Sequence, residues 1–242
     1  MVKRRIREWR NDLRMVREQG TFARNAAYAF GGSAVITISQ VVLTPIVARI
    51  YGPEAYGIYG IFITICLNLA AIAEMGISSA FVLPEEEEKA RDLLRANILT
   101  LTLILLLMVP FLVFREQVYQ LAPSWRNMGA WYYAIPLGTA VQMVPTMLTK
   151  WLTRYKEFGR GAAINGGTNL VLRVFNVVYG LLSKGALHGL IIGELVVRSA
   201  SVPFLIRTMA PHGADRLVAE RSLSRIWSTV KEYKRYPLYI FP

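Results

Sequence analysis

Residues 25–48 read NAAYAFGGSAVITISQVVLTPIVA, 24 positions without a charged side chain. A helix rises about 1.5 Å per residue and the hydrocarbon core of a bilayer is about 30 Å thick, so about 20 such residues suffice to cross it. A removable signal peptide has a shorter apolar core, and the stretch is therefore read as a retained membrane helix. Five more apolar stretches of similar length follow, at 55–83, 96–114, 129–149, 161–182 and 186–206. Pro45, Pro110, Pro136, Pro145 and Pro203 lie within or near the ends of these stretches, where membrane helices accommodate them by kinking. The pattern predicts an all-α integral membrane six-helix bundle.

Composition agrees with that pattern: 54% of the residues are apolar, yet the formal net charge is +12. A soluble domain this apolar would aggregate, and a nucleic-acid binder this basic is usually more polar. The two properties are compatible when the charges sit in loops. Of the 26 Lys and Arg outside the apolar stretches, 22 fall in segments that alternation places on one side: residues 1–24 and the loops after the second, fourth and sixth stretches. Short loops rich in Lys and Arg stay cytoplasmic. Six crossings with both termini cytoplasmic follow, in a cell (inner) membrane protein. Trp125, Trp131, Tyr132 and Tyr133 gather at the opposite interface, where amphipathic rings prefer to sit.

The chain divides into a basic amphipathic segment, 1–24, a membrane lobe, 25–206, and a second amphipathic segment, 207–242. Ile6, Trp9, Leu13 and Val16 recur at helical spacing in the first, and Leu223, Ile226, Trp227 and Val230 in the last. Such helices lie on anionic lipid, so the expected partner is the bilayer and not nucleic acid. The acidic run Glu85 to Glu88 reads as a solvated loop. With one cysteine, Cys66, and isolated His188 and His212, no disulfide framework, metal site or cofactor is expected.

Polar side chains inside apolar stretches face other helices or a watery cavity. Ser33, Thr37, Gln40 and Thr44 share one face of the first stretch, and Thr139, Gln142, Thr146 and Thr149 one face of the fourth. Asn165, Asn169, Arg173 and Asn176 follow i, i+4, i+8, i+11 in the fifth, and the second adds Thr64 and Asn68. The third, around Leu101 to Val109, is nearly free of polar groups and reads as lipid-facing. The hydroxyls serve a hydrated pathway or bond neighbouring helices; the asparagines and Arg173 point to the pathway. Arg173 lies about 15 Å from the external end of its stretch, and Glu194 and Arg198 about 12 and 18 Å from the end of theirs. The three can meet near mid-membrane. Two cations and one anion leave a positive charge suited to a phosphate or pyrophosphate, or form a triad that pins two helices. Gly185, Gly189 and Gly193, every fourth residue, predict close helix packing. No nucleophile-base pair or carboxylate pair has catalytic spacing, so an enzyme is not expected.

Particular motifs add to this. ARIYGPEAYGIYG from Ala48, AEMGISSAFV from Ala73, LTRYKEFGRGAAI from Leu152, GALHGLIIGELV from Gly185 and KEYKRYPLYIFP from Lys231 span nearly the whole chain. Together they resemble the polysaccharide-unit flippases, the polysaccharide transport family of the multidrug/oligosaccharidyl-lipid/polysaccharide exporter superfamily. The resemblance implies one lobe of a two-lobe transporter fold, with a central cavity that opens alternately to each side and carries a lipid-linked oligosaccharide outward. It implies a second lobe as partner, in a longer parent or another chain, without which the 242 residues are not expected to transport. It also implies cationic cavity side chains that meet the substrate's pyrophosphate. Arg173 is the first candidate, with Arg24 and Arg49 beside it and Thr37, Gln40, Asn68, Asn165, Asn169 and Asn176 lining the path. The alternatives are a multidrug or metabolite antiporter of the same superfamily, a non-transporting membrane assembly partner, and a glycan polymerase, which the short external loops disfavour.

Overall fold

The computed structural model describes residues 2–210 and 223–233, with side chains described at Ala34, from Ile36 to Ala210 and from Ser224 to Tyr233. The side chains of the first basic segment, Arg24 and Ser33 included, lie outside the described residues, as do most of 207–242. Among the described residues every ordered element is helical. In chain order they are α1 (Val2–Glu74), a 3-10 helix (Ile77–Val82), α2 (Glu87–Val113), α3 (Arg115–Leu121), a second 3-10 helix (Pro123–Ala134), α4 (Ile135–Arg154), α5 (Phe158–Leu182), α6 (His188–Met209) and α7 (Leu223–Glu232). By length and apolarity, three helices among the described residues can cross a membrane: Ile36–Glu74 within α1, α2 and α6.

The first of these is interrupted. Gly52 has φ 74° and ψ 169°, and Pro53 follows, so α1 is two arms joined at a kink. A side chain disfavours that backbone, and proline removes the N–H that would carry the helix through. The YGP of the sequence motif is therefore the hinge between the arms. The second arm ends at Glu74, nine residues before the predicted Leu83, because Met75 and Gly76 take left-handed backbone and a 3-10 turn follows.

α2 begins at Glu87 rather than at Ala96. Arg91, Asp92 and Arg95 belong to the helix and are buried there at 8%, 1% and 8% exposure, because Arg95 pairs with Asp92 at 2.8 Å and Arg91 with Glu88. Glu87 and Glu88 occupy its first turn, where negative charge complements the helix dipole. The acidic run is thus not simply a solvated loop: Glu87 pairs with Arg154 at 3.6 Å and receives the Tyr155 hydroxyl at 2.7 Å. Burial and that hydrogen bond push the Tyr155 phenol up to about 12.

Four apolar clusters hold the helices together among the described residues, two of them large and two small. At the basic end, which carries Arg154, Arg160 and Arg207, Phe81, Leu93, Leu94, Trp151, Leu152 and Leu205 pack into one core. Arg154 fastens the 3-10 turn there by donating to the carbonyls of Phe81 at 2.8 Å and Pro84 at 2.6 Å. At the aromatic end, Phe62, Cys66, Tyr119, Met128, Tyr132 and Ile191 form the other large cluster. α2 leaves Leu103, Leu106, Leu107, Phe111 and Val113 exposed, the outward apolar face its composition predicts.

Of the predicted glycine face, Gly189 and Gly193 lie on α6 and permit its close approach to α1 and α5, whereas Gly185 lies in the turn before that helix. Gly185, at φ 77°, sits so near the chain of α1 that a Cβ would lie 2.2 Å from the Ile50 carbonyl oxygen. A Cβ at Gly189 would meet Tyr51 and Tyr179 at 2.5 Å, and one at Gly193 would meet the Asn176 Oδ1 at 2.4 Å.

The last amphipathic helix is partly docked on protein. In α7, Ile226 and Thr229 are buried and Val230 packs against the basic-end core, while Trp227 is 69% exposed. Arg225 bonds Glu88 and reaches Asp92 at 3.1 Å, and Lys89 meets Glu232 at 3.2 Å. Of the predicted apolar face, Trp227 alone among the described side chains is left strongly exposed.

Candidate functional site

Glu194 lies on α6 about 9 Å from the start of that helix. It is 1% exposed, and three donors converge on its carboxylate. Gln142 of α4 donates from Nε2 to Oε1 at 2.6 Å, Tyr59 of α1 donates its hydroxyl to Oε2 at 3.0 Å, and Arg198, one turn along α6, donates from Nε. Three helices are joined at one buried anion. Of the expected cluster, Glu194 and Arg198 pair directly, whereas no ion pair joins Arg173 to Glu194 among the described residues. Arg173 is half-buried on α5 and close enough for its field to act on Tyr59, so it borders the network without entering it.

Tyr59 was not among the candidate residues. It lies inside the YGPEAYGIYG motif, and only the return of the second arm of α1 toward α6 brings its hydroxyl to a carboxylate 135 positions away. Gln142 stood among the polar residues of the fourth stretch, but its partner is equally a matter of tertiary placement. Neither partner could be read from spacing.

The other candidates separate into exposed and buried groups. Thr37, Gln40 and Arg49 on the first arm of α1, and Thr64 and Asn68 on the second, are exposed. Asn68 and Thr64 line a groove of about 940 Å³, with Gly57 and Gly60 beside them, Leu107 and Phe111 of α2 opposite, and Trp125 at its aromatic end. Asn165 and Asn169 are half-buried; Asn165 accepts from Thr149 of α4 at 3.5 Å, and Asn169 donates to the Asn165 carbonyl at 2.9 Å.

Asn176 departs from the pathway expectation. It is 0% exposed, wedged against Gly193, and its backbone carbonyl accepts the Tyr51 hydroxyl at 3.0 Å. Its side-chain amide has no hydrogen-bond partner among the described residues. In this conformation it packs the α5/α6 contact and faces no open space.

The hydroxyls of α4 meet the interhelical alternative at Thr149 alone among those described. Thr139, Thr146 and Thr149 donate to the carbonyls of Ile135, Gln142 and Pro145, four residues back on their own helix, at 2.9, 3.0 and 2.8 Å. Threonine satisfies its donor this way inside a helix at little cost. Thr149 also reaches Asn165 of α5 at 3.5 Å and Gln142 bonds Glu194 of α6, so the stripe joins neighbouring helices at these two positions, while Thr139 and Thr146 are spent on their own helix.

A second polar cluster closes the basic end. Glu74, at the end of α1, accepts from Lys150 of α4 and from Ser78, and Lys150 also donates to Ser79 at 3.3 Å. Asn97 of α2 donates to the Glu74 carbonyl at 3.1 Å. The glutamate of the AEMGISSAFV motif thus ties the second arm of α1 to α2 and α4.

Comparison with known proteins places these helices in one family. No curated protein and no solved structure matches the chain. The family described as polysaccharide biosynthesis protein matches residues 22–204, from the first arm of α1 through most of α6 and well over half of the 242 residues. The motifs around the Gly52 hinge, Glu74 and the Glu194 network all fall within the matched region, and the chain belongs to the polysaccharide biosynthesis protein family.

Proposed function

We propose that this chain is one lobe of a transporter that carries a polyprenyl-pyrophosphate-linked oligosaccharide across the cell membrane by alternating access. One observation carries the proposal: in a member of a polysaccharide biosynthesis family, both arms of α1 leave polar side chains uncovered within an exposed surface, Thr37 and Gln40 with Arg49 further along the first arm and Thr64 and Asn68 on the second. Polar and charged groups at membrane depth are costly against lipid and are expected to face water or protein. A second lobe, in the same polypeptide or another, closes a hydrated path over that surface. The two arms of α1, α2, α4, α5 and α6 then make six crossings with both termini cytoplasmic, the arrangement favoured by 22 of 26 loop cations.

Arg173 is assigned to the pyrophosphate. Arg198 is occupied by Glu194, which leaves Arg173 as the cation bordering the network without an ion-pair partner among the described residues. A guanidinium makes paired, charge-assisted hydrogen bonds to phosphate oxygens. Transport needs no covalent step, and the chain acts as carrier rather than enzyme.

One observation favours a second function, cation-coupled export of a drug or metabolite: the buried carboxylate of Glu194. Its partners Arg198, Gln142 and Tyr59 already occupy it, which argues for a fixed joint instead. Vesicles containing the protein with its second lobe separate the two. Translocation of a fluorescent polyprenyl-pyrophosphate saccharide, without pH-driven uptake of a cationic dye, is the expected result. Dye uptake without saccharide translocation would replace the proposal with the antiporter.

A further inference from the structure

We propose that the groove between α5 and α6 at the basic end is a binding site for an anionic phospholipid. Its volume is about 630 Å³. Gly167 and Val171 of α5 and Val196, Ala200 and Phe204 of α6 form its apolar walls, and Arg160 and Arg207 stand at its mouth. Eleven residues separate Arg160 from Val171, and the same number separate Val196 from Arg207. Each wall is therefore about 16 Å long, the depth of one leaflet's share of a 30 Å hydrocarbon core.

Polar chemistry is confined to the mouth. Lower down, Thr168 donates to the Ile164 carbonyl and Ser201 to the Arg198 carbonyl, each at 2.7 Å, and Thr208, beside Arg207, donates to the Phe204 carbonyl at 2.8 Å, so these hydroxyls are spent on their own helices. Arg160 is 62% exposed and shares its charge with Glu157 at 3.1 Å. It lies in the first turn of α5, where the helix end adds positive potential. Arg207 has no ion-pair partner among the described residues. Two guanidiniums above an apolar slot one leaflet deep match a phosphate on an acyl chain.

The occupant is a membrane phospholipid and not the transported lipid, because the groove lies between α5 and α6, away from the exposed polar side chains of α1. Its placement in the cytoplasmic leaflet rests on the orientation proposed above; its chemistry does not. A Cβ at Gly167 meets nothing within 4 Å, so a larger side chain there enters open groove. Leucine also favours helix over glycine, which protects the fold of a Gly167→Leu variant.

The test is native mass spectrometry and fluorescent-lipid displacement on the purified protein, with helicity measured for each variant. Phosphatidylglycerol should be retained in preference to phosphatidylcholine. Arg160→Ala/Arg207→Ala should bind phosphatidylglycerol roughly tenfold to thirtyfold more weakly, as expected for two lost basic contacts to an anionic head group. Gly167→Leu should weaken both lipids while leaving helicity intact. Soluble glycerol phosphate should not compete. Four results would each overturn the site: no preference for the anionic lipid, unchanged binding in all variants, displacement by glycerol phosphate at comparable concentration, or stronger binding of polyprenyl phosphate. Loss of a cross-linked dimer in Gly167→Leu would assign the groove to a second copy of the chain. The site could fail with transport of the saccharide intact, and the reverse, so the two proposals are separable.

Discussion

Substituting Glu194 with alanine removes the one acceptor shared by Tyr59, Gln142 and Arg198. Breaking a buried ion pair from one side costs about 3–5 kcal/mol, because the other charge stays behind without compensation. The Arg198 side chain is 22% exposed and can recover some hydration, which puts the expected loss near the lower figure, about 3 kcal/mol. Glu194→Gln keeps an acceptor for Tyr59 or Gln142 but leaves Arg198 unneutralised, so its loss is smaller but of the same origin. Removing both charges in Glu194→Gln/Arg198→Met should restore much of the stability, with a coupling energy of about 2 kcal/mol in the double-mutant cycle. Reversible unfolding in mixed micelles, followed by helix signal, measures all four corners. A Glu194→Ala variant within about 0.5 kcal/mol of the parent, a change typical of surface sites, would refute the buried joint. Simple addition of the two single effects would refute the pairing.

Other consequences follow from the packing. Gly193→Ala drives a methyl into Asn176 and Phe175 and should destabilise by about 1–3 kcal/mol in the same unfolding assay, whereas Gly57→Ala, with nothing within 4 Å, should be neutral or stabilising. In a background with Cys66 replaced, cysteines at Ser124 and Ser224 should react with an impermeant reagent from opposite sides of the membrane; labelling from the same side contradicts the six crossings. Arg225→Ala loses the contacts to Glu88 and Asp92 and leaves Lys89–Glu232 as the remaining described ion pair between α7 and α2, so the amides of Leu223–Glu232 should exchange faster while those of α4 do not change.

The long apolar stretches and the glycine repeat were legible because lipid and close packing impose regular patterns on a sequence. The stretch 25–48 reads as a long helix, and Gly189 and Gly193 offer α6 a flat face, while Gly185 serves the turn before it. What the sequence concealed was long-range pairing. Arg91, Asp92 and Arg95 read as a loop because charges normally end an apolar helix, yet here Arg95 pairs with Asp92 and Arg91 with Glu88, and all stay inside α2. Thr139 and Thr146 share a stripe with Gln142 and Thr149, yet their hydroxyls bond their own helix while Gln142 and Thr149 reach α6 and α5. Asn176 has the same spacing as Arg173 and Asn169, yet it turns into the contact with Gly193. Helical periodicity shows that residues share a face and is silent on what that face meets. Tyr59 illustrates the same point, since its partner comes from a helix distant in sequence.

Export of the lipid-linked saccharide in cells that depend on this protein, with Arg173→Ala in place of the parent and membrane levels matched, tests the central proposal most directly. The expected outcome is loss of export, with the saccharide accumulating on the cytoplasmic leaflet and partial rescue by Arg173→Lys, which keeps the charge but not the paired hydrogen bonds. Export at the parental rate in Arg173→Ala would contradict the assignment of Arg173 to the pyrophosphate.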